Sequence, residues 1–314
     1  MNTAHDRLGE HPPETLINPE QEHISFQVGL TTATMYPDWY PGEVPAGESI
    51  SEGKLRGDLA LETIKTATDQ GFRLVVVDGG SSPEFIEAVQ TTPASLYAQE
   101  QSGMSIGRQQ AFKLAAELEG AKVIGWLEPE KLSLAQEGIA DPARVIINGD
   151  ADVVIPSRDT EAFNTYPDYQ VGFEQESNRL FNRLLRRFGL YPEDAPDLDA
   201  WFGPRFFKNQ PEILELFTIN YEFVEQEVTG LDQQTPGLWA NALFLPIVAA
   251  LHKGYRVSSV PVNYRHPERQ TLQEQGNAQF VEKRAFQQRA VLFTVVHFIR
   301  LLQGRGNPRL RENS

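Results

Sequence analysis

The chain of 314 residues contains no cysteine. Disulfides and thiolate metal sites are therefore excluded, and any bound metal must use Asp, Glu, His or water. Basic residues are scarce: 28 Lys and Arg stand against 43 Asp and Glu, a net charge of −15. Nucleic acid needs a basic surface to neutralise its phosphates, so it is not an expected partner. A small phosphorylated ligand held by a few local arginines remains compatible with this balance. No run of about 18 uninterrupted apolar residues occurs, so no membrane span is expected. The first residues are polar and acidic without an apolar signal region, which makes the cytoplasm the expected compartment. No Gly-Lys-Ser/Thr closes a glycine-rich loop, so there is no P-loop.

The composition that remains is 40% apolar, enough for one large α/β domain or two small ones. Residues 1–22 carry charge, proline and glycine with little apolar content and read as a mobile tail. Residues 24–30 read as a first strand that runs into Thr31, Thr32, Ala33 and Thr34. A Pro- and Gly-rich loop over 36–53 follows, of a length that usually covers a site. A helix is expected at 55–70, ended by Gly71, then a β-branched strand at 72–77. Pro83 opens a helix to about Gln90, 94–98 reads as a short strand, and 105–118 as an amphipathic helix. Strands are expected at 123–127, 151–155 and 255–262, and helices at 173–189, 211–217, 238–252 and 278–302. Strands alternating with helices imply a mostly parallel sheet covered on both faces. The expected division is a tail over 1–22, one domain over 23–270, and a C-terminal helix and tail over 271–314. The apolar face of 285–302 reads equally as core, as the seam of a homo-oligomer, or as a weak membrane contact.

Chemistry-bearing residues collect at the strand ends, where open α/β sheets bind ligands. The strand over 123–127 runs into Glu128-Pro129-Glu130. In an extended segment, side chains at i and i+2 point the same way. Both carboxylates can then face one hard cation that also holds phosphate oxygens, with Pro129 stiffening the pair. A solvated acidic turn is the plainer alternative. Asp78-Gly79-Gly80-Ser81-Ser82 follows another apolar strand. Its glycines admit a ligand close to the backbone and Asp78 can accept from a ribose or a base, although a tight strand-to-helix turn favours the same residues. Gly103 opens a helix carrying Arg108, and a helix mouth favours anions. Arg158 sits at a strand end beside Asp159, where a surface ion pair is the competing explanation. Asp199, Trp201, Gly203 and Arg205 suit an acceptor pocket in which Asp199 orients or deprotonates a hydroxyl, or else a loop packed down by Trp201 and Phe202. Arg265, His266 and Arg269 follow the last strand. Arg pairs bidentately with phosphate, and His is a frequent metal ligand.

Three runs, Arg73 to Ser82, Gln99 to Glu130 and ADVVIPSR at 151–158, resemble the GT-A glycosyltransferases of the family-2 type, in particular the dolichyl- or polyprenyl-phosphate sugar transferase branch. Asp199, Gly203 and Arg205 and the strand from Gly254 to Val262 extend the resemblance over about residues 24–270. It implies an α/β, GT-A (Rossmann-like) mostly parallel sheet with helices on both faces and a C-terminal helical extension. It also implies a hexosyltransferase that uses a nucleotide-diphosphate sugar. On that pattern Thr32, Asp78, Gly79 and Arg108 hold the nucleoside. Glu128, Glu130 and His266 hold Mg2+ or Mn2+, the late His being a metal ligand in GT-A enzymes with small soluble acceptors such as glycerate. Arg158, Arg265 and Arg269 meet the donor, Arg265 or Arg269 neutralising the leaving diphosphate, and Asp199 with Arg205 serves the acceptor.

The departures are specific. Glu128-Pro129-Glu130 replaces Asp-x-Asp, the first strand ends in Thr31-Thr32-Ala33-Thr34 instead of Pro and Asn-Glu, and no C-terminal membrane helices follow. The acceptor expected is therefore small and soluble, or phosphorylated. The altered acidic motif motivates an alternative, a degenerate member that binds nucleotide sugar or a partner without turnover. A sugar-phosphate nucleotidyltransferase is disfavoured because Thr31 to Met35 contains no Gly, Arg or Lys.

Overall fold

The run Val123–Trp126 is buried on both sides, and in the computed structural model it lies at the centre of a seven-stranded sheet. Residues 19–45, 47, 49–219, 221, 242–276 and 278–304 are described. The strands are β1 Val28–Thr34, β2 Arg73–Asp78, β3 Ser95–Ala98, β4 Val123–Trp126, β5 Val153–Ser157, β6 Arg205–Lys208 and β7 Val257–Pro261, in the spatial order β3-β2-β1-β4-β6-β5-β7. All neighbours are parallel except β6, which runs antiparallel to both β4 and β5.

Period-two alternation splits the core into two layers. Val123, Val154 and Phe206 face one side with the helices Glu52–Asp69, Pro83–Gln90 and Ala140–Ile147. Ile124, Val153 and Phe207 face the other, with Met104–Ala116, Asp168–Arg187, Pro211–Thr218, Leu245–His252 and Ala278–Leu302. On this second side Phe207 and Phe217 stack at 3.9 Å, and Phe112 meets both Phe207 and Trp126 edge-on. Val291, Val295, Phe298 and Ile299 make the apolar face of the last helix part of the core. The close approach of helix Met104–Ala116 to β1 requires Gly29, where a Cβ would stand 2.7 Å from the Ala115 carbonyl oxygen.

Several boundaries differ from the sequence reading. The first strand begins at Val28, and Ile24 to Gln27 belong to a helix, Pro19–Gln27. Pairing to β2 carries the strand on to Thr34, and β4 pairs as far as Thr31, so Thr31 to Thr34 lie inside it. The expected tail lies outside the described residues as far as residue 18, as do residues 238–241 of the expected 238–252 helix. The sequence reading did not contain β6. Arg205-Phe206-Phe207-Lys208 is too short and too charged at its ends to declare itself, and it becomes a strand because β4 and β5 supply a ladder on either side.

Candidate active site

β1 sits between β2, the next strand in sequence, and β4, reached by the later part of the chain. The order of strands reverses at this point, which opens a crevice at the carboxyl ends of β1 and β4. Tyr36, two residues beyond β1, donates its hydroxyl to Glu130 Oε1 at 2.9 Å and so bridges the two strand ends. Burial, and then Glu130, hold the Tyr36 phenol well above its usual pKa, so it stays protonated and keeps donating.

Asp78 closes β2. Its carboxylate accepts from Thr34 Oγ1 at 2.7 Å, from the Gly80 and Ser81 N–H groups at 2.9 and 2.8 Å, and from the Ser81 hydroxyl. It therefore fastens the β2 turn to β1, and these bonds occupy both of its oxygens. Gly79 N–H donates to Thr34 O at 2.8 Å within the same turn. Thr32 is buried mid-strand opposite Val76, with a hydroxyl that has no partner among the described residues.

The helix Met104–Ala116 begins at Gly103, which gives it no side-chain cap. Arg108, in its second turn, lies over Trp126 at 5.2 Å, and its buried Nη1 has no partner among the described residues. Burial lowers the Arg108 pKa, and the nearby Glu128 and Glu130 carboxylates oppose that shift.

Residues 128–131 do not continue the strand. Lys131 N–H donates to Glu128 O at 3.0 Å and closes a turn with Pro129 at its second position. The two acids therefore diverge, contrary to the parallel aim expected from extended backbone. Glu130 turns to Tyr36, with Arg56 in electrostatic reach. Glu128 lies against Gly203, whose φ of +100° belongs to glycine and whose missing Cβ leaves room for the carboxylate. Glu128 Oε2 is 3.7 Å from Lys131 Nζ.

Lys131 points into a cage of Tyr166, Phe202 and Tyr264, 5.3–5.6 Å from each ring centre. Burial alone would lower its pKa, but Tyr166, Glu128 and Glu174 more than reverse this, so the ammonium persists. His266 stacks on Tyr166 at 4.2 Å, and its buried Nε2 has no partner among the described residues. Burial, with Lys131 and Arg158 close by, pushes its pKa down to about 2, so the imidazole is neutral.

Asp199 and Arg158 form a buried ion pair. Arg158 Nε and Nη2 donate to the two Asp199 oxygens at 2.8 Å each, Arg158 N–H adds a third bond at 3.0 Å, and Asn178 a fourth at 2.6 Å. Arg158 Nη1 reaches Glu174, and its guanidinium lies over Phe163, Tyr166 and Phe202. As placed, Asp199 positions this loop, and the role of base expected from the sequence has no free oxygen behind it. Arg205 is fully buried and donates to the carbonyls of Pro204, Ala200 and Leu243. Burial pushes its pKa down to about 10, partly offset by Glu128 and Asp199. Arg265 is exposed and tied by its backbone to Ser133, while Arg269 pairs with Glu62 at 2.7 Å on the Glu52–Asp69 helix.

The structure thus brings Arg108, Glu128, Glu130 and Arg205 into one electrostatic neighbourhood, with Lys131 between Glu128 and the His266–Tyr166 stack. Arg269 stands apart in its own exposed pair. Tyr36, Lys131 and Tyr166 escaped the sequence reading. Glu-Pro-Glu-Lys carried the signal for Lys131, since Pro at the second position of a turn places the first and fourth residues together. A divalent cation shared by Glu128, Glu130 and His266 does not fit these side chains as they stand. Among the described residues no three Asp, Glu or His groups converge as a ligand set.

No family model and no curated protein matches the sequence. Solved structures do match its shape. Glucosyl-3-phosphoglycerate synthase from Mycobacterium tuberculosis, in complex with Mn2+, UDP and phosphoglyceric acid, superimposes with a TM-score of 0.52 at 11% identity, over 92% of this chain and 84% of that one. The fold is GT-A. The same synthase with UDP-glucose and glycerol 3-phosphate covers 95% of this chain and 88% of its own at 12% identity and a TM-score of 0.50. Within this GT-A fold the crevice described above is the one at the β1/β4 switch. No described helix is long and apolar enough to cross a membrane.

Proposed function

We propose that this chain is a glycosyltransferase that moves a hexose from a nucleotide-diphosphate sugar to a small soluble or phosphorylated acceptor. One observation carries the proposal: at the β1/β4 switch point the Nη1 of Arg108, without a partner among the described residues, and the ammonium of Lys131 both lie near Glu128 in an acidic protein. That is a site for a compact polyanion. In the reaction the bond from the sugar's anomeric carbon to the diphosphate oxygen breaks, and its electron pair stays with the diphosphate. The acceptor oxygen bonds to the carbon and its proton is released to solvent. Fixed cations beside the leaving oxygen stabilise the charge that develops there. The complexes of the structurally similar synthase with UDP, phosphoglyceric acid and glycerol 3-phosphate support the class of donor and acceptor.

The test is release of UDP or GDP from UDP-glucose or GDP-mannose by the purified chain, with 3-phosphoglycerate or glycerol 3-phosphate as acceptor. Acceptor-dependent release is expected from one donor. Tight donor binding without release, for every donor and acceptor tried, would favour the degenerate binding protein instead.

A further inference from the structure

We infer that Lys131 takes the place of a divalent cation: its caged ammonium beside Glu128 meets the donor's diphosphate, and nucleoside diphosphate binds without metal. The inference rests on the glycosyltransferase reading and deepens it. It begins with the turn at 128–131. Closing that turn sends Glu130 to Tyr36 and Arg56 and sets Glu128 against Gly203 and Lys131. Lys131, Arg108 and Arg205 all act on the Glu128 carboxylate. Glu130 also acts on Arg108, Glu174 on Lys131 and Asp199 on Arg205, so the summed charge does not single out this place; a fixed positive charge at the Lys131 ammonium does.

Lys131 is built to supply that charge. Its side chain is only 12% exposed, yet its sole ion pair among the described residues is the 3.7 Å approach to Glu128. Its one hydrogen bond among them is a long one, 3.4 Å, to the Tyr166 hydroxyl. An ammonium has three donors, so most of its capacity is unspent. The rings of Tyr166, Phe202 and Tyr264 hold the cation in place through their π faces without neutralising it. A cation that is buried, oriented and weakly paired, next to the switch-point crevice, fits a phosphate oxygen better than it fits a structural salt bridge. Its link to Glu128 is a screw that tightens only halfway: enough to aim the side chain, too long to consume it.

The experiment is calorimetric titration of UDP and GDP into the full chain, in excess EDTA and in Mn2+, for wild type, Lys131→Met and Lys131→Arg. Wild type is expected to bind one nucleotide with an affinity that EDTA leaves unchanged. Lys131→Met is expected to lose about tenfold or more, the scale of one charge-assisted hydrogen bond, and Lys131→Arg to keep most of the affinity. Binding that vanishes in EDTA overturns the inference and leaves the glycosyltransferase reading standing. Unchanged affinity in Lys131→Met, shown folded by its melting transition, overturns it as well. If Lys131→Met does not fold, the EDTA arm on wild type and the Arg variant decide. Failure of both nucleotides to bind in either condition removes the donor reading beneath it.

Discussion

With Arg158 on both of its oxygens and Asn178 on one, Asp199 is a buried counter-ion, and losing Arg158 would strand it together with Glu174. Uncompensated buried charge is costly, so Arg158→Met is expected to lower unfolding free energy by about 3–5 kcal/mol in urea titrations. A change below about 1 kcal/mol would mean the pair is looser than it stands here. His266 supplies a pH test. Its folded pKa of about 2 lies below the ordinary 6.5 because the ring is buried beside Lys131 and Arg158. Between those values the unfolded chain binds a proton that the folded chain refuses, so stability must fall as pH falls below 6.5. His266→Phe keeps a ring against Tyr166 and is expected to flatten that slope by on the order of 1 kcal/mol per pH unit. Identical slopes for variant and wild type would contradict it. At this scale the sequence announced which residues collect at strand ends, but not what each one touches. Nothing in the stretch around Asp199 shows that Arg158, 41 positions earlier, fills its oxygens.

Elements explain how the acids came apart. β4 ends at Trp126, so Glu128 and Glu130 obey turn geometry and not strand alternation. That ending is a tertiary matter, since the ladder to β6 stops where Trp126 meets Arg205. The antiparallel entry of β6 also sets Gly203 beneath Glu128. Gly203→Ala would force a Cβ into the carboxylate and strain a backbone at φ +100°. A loss of about 1–3 kcal/mol in stability is expected, together with weaker nucleotide binding as Glu128 is displaced. Normal stability and affinity would show that the loop yields without cost. The parallel strands and long helices were legible because apolar runs, Pro83 at a helix start and Gly71 after a helix are local signals. β6 was not legible, because only its neighbours make it a strand.

The whole molecule sets a cluster of cations against a net charge of −15. Long-range charge repels polyanions such as nucleic acid, while Arg108, Lys131 and Arg205 stand among Glu128, Glu130, Glu174 and Asp199 at one short stretch of the sheet's carboxyl edge. The mostly parallel sheet and a crevice at its strand ends were within reach of sequence through the alternation of strands and helices, and the GT-A architecture through the resemblance of Arg73 to Ser82, Gln99 to Glu130 and the run at 151–158. The source of the positive charge was not, because it depends on a turn, a cage of three rings and an antiparallel strand meeting at one place. For the nucleoside diphosphate proposed at this place, Arg108 is the side chain best placed to report binding. The most direct measurement is the calorimetric affinity of UDP and GDP for wild type and for Arg108→Met. One-to-one binding of one nucleotide, weakened about tenfold or more in the variant, is the expected result. Equal affinity in both chains, or no binding by wild type, would contradict it.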